Sequence, residues 1–169
     1  MLVREKPILD DAALPSGNGV AALTGLRLEA LTGQARFGDA ARGALVSFSG
    51  ALRARPASLP TLLLALDWLH DMPLEVIVVL PEEGRDAGPL LSVLRRTYRP
   101  NRVVAIAREG AALDAAAKVV PLLAEKRARG GRATGYVCEN RTCRFPTADP
   151  AELERQLRAV TPLAPAKAR

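Results

Sequence analysis

The sequence is poor in the residue types on which base-stacking platforms and metal sites depend. Aromatic residues make up 4% of the 169 residues, and the chain has one histidine and two cysteines. One aromatic pair, Tyr136 and Phe145, lies in or beside the most basic stretch, which is too little to stack several nucleic-acid bases. A zinc ion needs four ligands, and His70 is the only histidine that could join the cysteines. We therefore expect no cofactor, no resident metal and no nucleic-acid partner.

The sequence also lacks the apolar segments that mark membrane insertion and secretion. No apolar run approaches the roughly 20 residues that a membrane-spanning helix needs. The stretch Met1–Pro7 has no apolar core of the signal-peptide kind. We expect a cytoplasmic protein with no membrane partner.

Hydrophobic residues make up 49% of the chain, which is typical of a globular protein. With so few aromatic residues, the core must consist mainly of Leu, Val and Ala. The net charge is +6, and residues 118–144 carry seven Lys or Arg against two Glu. Such a stretch attracts anions, so Arg132, Arg141 and Arg144 are candidate anion-binding residues. The alternative is a solvated basic loop.

Residues 1–72 have the pattern of a helical segment. Apolar residues recur at steps of three and four, which predicts amphipathic helices over about 16–32, 36–54 and 61–71. In the first and third of these, apolar residues cover most of the circumference, more than a surface helix requires. We expect these helices to contact partners through their apolar faces, either further helices or a second copy of the chain.

After Pro73 the pattern changes to alternating strands and helices. Short β-branched runs predict strands at 74–80, 102–107 and 133–137, with helical patterns between them. Asp149 is predicted to cap a last helix that runs to about residue 160. The fold class expected is mixed α/β: a helical segment over 1–72, then a three-stranded, mainly parallel layer with a C-terminal helix over 73–160. A frayed tail is expected over 161–169.

The two cysteines, Cys138 and Cys143, have the spacing C-x4-C. A tight turn through Asn140 and Arg141 would bring them within disulfide range. Three interpretations stay open: ordinary reduced thiols, a redox pair whose thiol pKa values Arg141 and Arg144 lower, or half of a zinc site. The C-x-x-C motif of thioredoxin-like folds is absent.

A second polar cluster precedes the first helix. It contains Asp11, Ser16 and Asn18, which are typical of turns and helix caps. The same residues are catalytic candidates. His70, near the end of the third helix, is interpreted as a cap or surface residue, since no nucleophile pattern accompanies it.

Two segments together resemble a known family. Tyr136–Cys143 followed by Pro146–Pro150, and Asp11–Leu23 upstream, are similar to the C-terminal part of the large thioredoxin-domain-containing proteins of the spermatogenesis-associated type. The resemblance implies a fusion of a thioredoxin-like domain, a toroid of helical hairpins like that of six-hairpin glycosidases and sugar epimerases, and a small α/β segment. This chain would match only the last hairpins and that segment.

The resemblance implies a non-catalytic C-terminal module that completes an α/α toroid, with the remaining toroid and the thioredoxin-like portion as its partners. An alternative is part of a carbohydrate-active or redox-linked enzyme. Such an enzyme would bind a sugar at the toroid mouth near Asp11, Ser16 and Asn18, or would use Cys138 and Cys143. A third possibility is a basic α/β module that binds an anion.

Overall fold

The computed structural model describes residues 10–71, 73–83 and 87–159. They belong to two compact units, and the chain passes from the first to the second between His70 and Asp71. The first unit is helical and the second is built on a β-sheet. The predicted frayed tail lies outside the described residues.

The helical unit begins with an irregular stretch and then forms its helices in close succession. These are α1 (Gly17–Thr32), α2 (Ala35–Ser47), α3 (Ser49–Ala54), a single 3₁₀ turn (Pro56–Ser58) and α4 (Pro60–His70). The first helix begins as predicted, because the Ser16 side chain accepts a hydrogen bond from the backbone N–H of Gly19. It ends at Gly33, whose φ of 69° suits glycine.

Helix α1 is the centre of this unit and packs against both α2 and α4. Small residues allow the close approach. A Cβ added to Gly25 would lie 2.8 Å from the Phe37 backbone oxygen of α2. One added to Gly19 would lie 2.8 Å from the Thr61 Cβ of α4. The glycines therefore set the distance between the helix axes.

The prediction of one continuous helix over 36–54 is wrong. The helix ends at Ser47, Phe48 leaves the helical conformation, and α3 begins at Ser49. The Ser47 hydroxyl donates to the carbonyl of Gly43, a bond that competes with the backbone pattern and bends helices. Gly50 in the next turn is a weak helix former. Apolar periodicity continues through this break and conceals it.

The second unit contains a sheet with helices on its faces. Its elements are β1 (Leu74–Leu80), α5 (Gly88–Arg96), β2 (Arg102–Arg108), α6 (Ala111–Ala117), a 3₁₀ turn (Pro121–Leu123), β3 (Thr134–Glu139), β4 (Thr142–Cys143) and α7 (Pro150–Arg158). The strand order is β2-β1-β3-β4. Strand β1 is parallel to β2 and antiparallel to β3, and β3 is antiparallel to β4.

The expected three-stranded, mainly parallel layer is therefore wrong in two respects. The described sheet has four strands, and only its β1–β2 pair is parallel. A turn at Gly130 and Gly131, both with positive φ, reverses the chain just before β3. A second tight turn then produces β4, which is only two residues long. The prediction of a mixed α/β fold is confirmed.

The two faces of the sheet bury different kinds of side chain. One face packs against α5 and α7 through Leu74, Val76, Val78 and Val137, with Leu90, Val93, Leu153 and Leu157 from the helices. Because side chains alternate along a strand, Glu75, Ile77 and Val79 lie on the other face. The 3₁₀ turn at Pro121–Leu123 lies against β1 and β2. The second face also carries the candidate site.

Within the ranges that the structure describes, no helix combines the length and the apolar character that a bilayer crossing demands.

Candidate functional site

Strand register places a carboxylate and both cysteines in one row across the sheet. Glu75 of β1 pairs with Cys138 of β3, and Cys138 pairs with Cys143 of β4. On the other side of Glu75, the partner in β2 is the apolar Val103. Residues paired across neighbouring strands point to the same face of a sheet. The row therefore juxtaposes a carboxylate, a sulfur pair and an apolar wall.

Cys138 and Cys143 are at disulfide distance, with their Sγ atoms 2.04 Å apart. The turn between them consists of Asn140 (φ 49°) and Arg141 (φ 63°). Two central residues with positive φ are the signature of a two-residue hairpin turn of type I′. The structure contains the tight turn that this spacing requires for a disulfide, and it places the two sulfur atoms at disulfide distance.

The two sulfur atoms differ in their access to solvent. Cys138 is 1% exposed, because it lies in the interior of β3. Cys143 is partly exposed, because it ends the short edge strand β4. An attacking group from solvent therefore reaches Cys143 before Cys138.

Glu75 is a charged residue in an otherwise apolar buried strand, and it is 7% exposed. Its Oε2 accepts a hydrogen bond of 3.1 Å from the backbone N–H of Arg141, and its Oε1 lies 3.5 Å from the Arg141 Nε. Burial raises the pKa of the Glu75 carboxyl, and the hydrogen bond from Arg141 and the positive charges of Arg141 and Lys126 only partly oppose this. Glu75 therefore holds a proton at higher pH than an exposed glutamate.

A cavity of about 210 Å³ opens onto this row. Glu75, Cys138 and Cys143 line it, together with Arg141 from the hairpin turn. The opposite wall consists of the 3₁₀ turn and the residues that follow it, including Glu125 and Lys126. The cavity gives a small group access to the sulfur pair and the carboxylate from the same side.

Sequence reasoning missed Glu75 as a site residue. The apolar pattern of 74–80 predicts a buried strand and assigns Glu75 no role, and the proximity of Glu75 to the cysteines depends on the antiparallel pairing of β1 with β3. The available signal was the charge itself, since an ionisable side chain inside a run of β-branched residues rarely lies in a buried strand without a role.

The three candidate anion-binding arginines have different surroundings. Arg144 forms an ion pair of 3.1 Å with Glu139 and also donates to the carbonyl of Gln156. Arg141 lies against Glu75. Arg132 is exposed in the turn before β3. Two of the three are thus paired with carboxylates of their own chain.

The polar cluster before α1 is a capping site. The carboxylate of Asp11 accepts hydrogen bonds from the backbone N–H groups of Ser16 and Thr61, so it serves the starts of both α1 and α4. Although burial alone would raise the pKa of Asp11, these bonds lower it below its ordinary value. Ser16 is buried and caps α1, and Asn18 is partly buried within its first turn. Asp11 and Ser16 therefore stabilise the starts of helices through hydrogen bonds to backbone N–H groups.

His70 is the last residue of α4 and is exposed. In the described parts of the chain, no group of three or more His, Cys, Asp or Glu side chains is arranged to hold a metal ion.

Comparison with known proteins points to one kind of relative. The chain is similar to spermatogenesis-associated protein 20 of Homo sapiens, with 32% identity over 147 residues. It is 33% identical to the Rattus norvegicus protein and 31% identical to the Mus musculus protein over the same length. The chain is homologous to the C-terminal part of spermatogenesis-associated protein 20. No protein-family model matches it, and no solved structure does.

The match covers 87% of this chain but only 19% of the human protein. The chain thus spans about a fifth of the length of these relatives. Because 147 matched residues exceed the length of either compact unit, the similarity includes residues of both. The resemblance inferred from Tyr136–Cys143 and Asp11–Leu23 is confirmed to this extent, whereas the thioredoxin-like domain and the helical toroid stay predictions.

Proposed function

We propose that the helical unit is a docking module that completes a larger helical assembly. The occupant of its docking surface is the helical polypeptide that corresponds to the preceding four-fifths of spermatogenesis-associated protein 20. The resemblance to toroid-forming proteins motivates this choice, and the restriction of the match to the C-terminal part of the relatives supports it. The module itself performs no reaction in this proposal.

The observation that carries this proposal is a groove between α1 and α2. It has a volume of about 230 Å³ and is lined almost entirely by small or apolar residues: Ala21, Ala22, Thr24, Gly25 and Leu28 from α1, and Phe37, Ala40, Ala41 and Ala44 from α2. Small residues on both walls allow the side-chain ridge of a further helix to enter closely. Apolar side chains on other faces, such as Val46 at 73% exposure, provide additional contacts.

Fragment association tests this proposal. The human relative without its C-terminal region is mixed with this chain, and the human C-terminal fragment serves as the reference. We expect co-elution in gel filtration, and we expect Ala40→Glu, in the groove, to weaken binding at least about 10-fold. Ala54→Glu is the matched control, because Ala54 is an exposed helical alanine outside the groove. The proposal is wrong if the human fragments associate and this chain does not, or if both variants bind equally.

A second function is favoured by the arrangement of the α/β unit. We propose that Cys138 and Cys143 form a reversible dithiol–disulfide centre. The supporting observation is the pairing of a buried with a partly exposed cysteine beside a cavity, since one sulfur is then accessible to a substrate thiol or disulfide and the other is protected.

Thiol titration of the folded protein tests the second function. We expect no reactive thiols before reduction, two after treatment with a dithiol reductant, and none again after exposure to a disulfide oxidant. Circular dichroism should show that the fold persists throughout. Cys143→Ser is the control and should leave a single thiol that reacts slowly, because Cys138 is buried. A thiol count that the reductant does not change under native conditions contradicts the proposal.

The sugar-binding alternative lacks comparable support. It depends on Asp11, Ser16 and Asn18, of which the first two are hydrogen-bonded within the cap. It stays a prediction that a thermal-shift screen against sugars and sugar phosphates would test, as does the basic anion-binding alternative.

A further inference from the structure

Dithiol chemistry needs a group that exchanges protons with the thiols. The cross-strand row that contains Cys138 and Cys143 also contains such a group, the carboxyl of Glu75. A thiol must lose its proton before it attacks a disulfide, and a sulfur that leaves a disulfide departs as a thiolate. The partly exposed Cys143 can exchange protons with water. Cys138, at 1% exposure, cannot do so readily.

Glu75 occupies the neighbouring place in the same row and lines the same cavity as both sulfurs. It belongs to β1, an interior strand of the sheet, and the backbone N–H of Arg141 donates a hydrogen bond to its carboxylate. A carboxylate on the cross-strand neighbour of a buried cysteine is suited to act as a general base for that cysteine once the disulfide is reduced.

We propose that Glu75 is the proton acceptor and donor for Cys138 in the dithiol–disulfide centre. This inference rests on the second function proposed above. The substrate class is a disulfide, or in the reverse direction a dithiol, on a small molecule or an extended peptide that reaches Cys143 through the cavity.

The oxidation of the reduced centre proceeds in two exchange steps. The Cys143 thiolate attacks one sulfur of the substrate disulfide, which forms a mixed disulfide and releases the first substrate thiolate. Glu75 then takes the proton of Cys138, and the Cys138 thiolate attacks the Cys143 sulfur. This forms the internal disulfide and releases the second substrate thiolate. Two electrons pass from the cysteine pair to the substrate, and the proton on Glu75 passes to solvent.

Charged side chains of both signs surround Glu75 in the cavity where the proton transfer is proposed. Arg141 and Lys126 are positive and line the cavity, and Glu125 is a second carboxylate on its wall. Tyr136, two residues from Cys138, is held by hydrogen bonds between its hydroxyl and the backbone of Arg127. The raised pKa of Glu75 brings its proton affinity closer to that of a thiol.

The test follows both steps with a symmetrical aromatic disulfide whose thiolate absorbs visible light. The first equivalent released reports the attack by Cys143, and the second reports ring closure by Cys138. We expect Glu75→Gln to leave the first release within about twofold and to slow the second at least about 10-fold at neutral pH. In Glu75→Gln, the plot of the ring-closure rate against pH should no longer show the step that the ionisation of Glu75 causes. Glu75→Asp should restore part of the rate.

The control is Asp114→Asn, which removes an exposed carboxylate of α6 that does not line the cavity and should leave both rates unchanged. If Glu75→Gln and the unmodified protein close the ring at equal rates with equal pH profiles, the role of Glu75 is wrong although the redox function stands. If no second equivalent is released from the unmodified reduced protein, the redox function itself is wrong.

Discussion

At the scale of single residues, this protein contains two carboxylates whose pKa values are displaced in opposite directions. Glu75 lies in a buried strand, and its hydrogen bond and the nearby positive charges only partly offset the hydration that it loses, so its pKa rises. Asp11 accepts several hydrogen bonds that outweigh its burial, so its pKa falls. The two residues therefore make opposite contributions to the pH dependence of stability.

Replacing Glu75 by Gln should stabilise the oxidised protein more at about pH 8 than at about pH 4. The folded state binds the Glu75 proton more tightly than the unfolded state, because the folded pKa is raised. The contribution of Glu75 to stability is therefore greatest below the ordinary glutamate pKa and falls as the pH rises through the folded pKa. Urea unfolding of both proteins at the two pH values checks this. An equal difference at both values would contradict it.

Replacing Asp11 by Ala should lower the free energy of unfolding by about 2 kcal/mol at neutral pH, because the starts of two helices lose an acceptor. The folded pKa of Asp11 is lowered, so its stabilisation is present above the ordinary aspartate pKa. It is lost as the pH falls through the folded pKa. Urea unfolding followed by fluorescence measures the effect, since Trp68 of α4 is the only tryptophan.

The neighbouring Asp10→Ala is the control for this measurement. Asp10 forms a partly exposed ion pair with Arg55, and such pairs contribute at most about 1 kcal/mol. Equal losses in the two variants would show that Asp11 has no special capping role.

At the scale of secondary-structure elements, the close approach of two helices determines at which positions glycine cannot be replaced without a steric clash. Gly25 of α1 lies where a Cβ would contact the backbone of α2 at 2.8 Å, whereas nothing lies within 4 Å of a Cβ at Gly43 of α2. Both glycines lie within helices, so the gain in helix propensity on replacement by Ala is the same at the two positions. Only the space around the added Cβ differs.

Gly25→Ala should therefore destabilise the protein by about 1–3 kcal/mol, because a backbone oxygen cannot move aside as a flexible side chain can. Gly43→Ala should stabilise it by about 1 kcal/mol through helix propensity. Trp68 fluorescence in urea measures both variants. A gain in stability for both would show that α1 and α2 are farther apart than described.

At the scale of the whole molecule, two units of different architecture are inherited together. The homology with spermatogenesis-associated protein 20 extends over both, within the C-terminal part of those proteins. The helical unit presents a groove of small residues, and the α/β unit presents the sulfur pair with Glu75. We therefore propose one assembly role and one redox role, each assigned to its own unit and tested by a separate measurement.

The sequence by itself determined the features that depend on neighbours along the chain. The start of α1 near Ser16, the extent of β1 over Leu74–Leu80 and the cap of α7 at Asp149 are such features, because capping and apolar periodicity act within a few residues. The hairpin turn at Asn140–Arg141 is equally local.

Only the tertiary structure decided the direction of β3 and the place of Glu75 beside Cys138. Both depend on the pairing of segments about 60 residues apart in the chain, and apolar periodicity is the same for parallel and antiparallel neighbours. A strand shows which face a residue occupies but not which residue lies opposite it. For this reason the two cysteines were recognisable in the sequence, and the carboxylate that accompanies them was not.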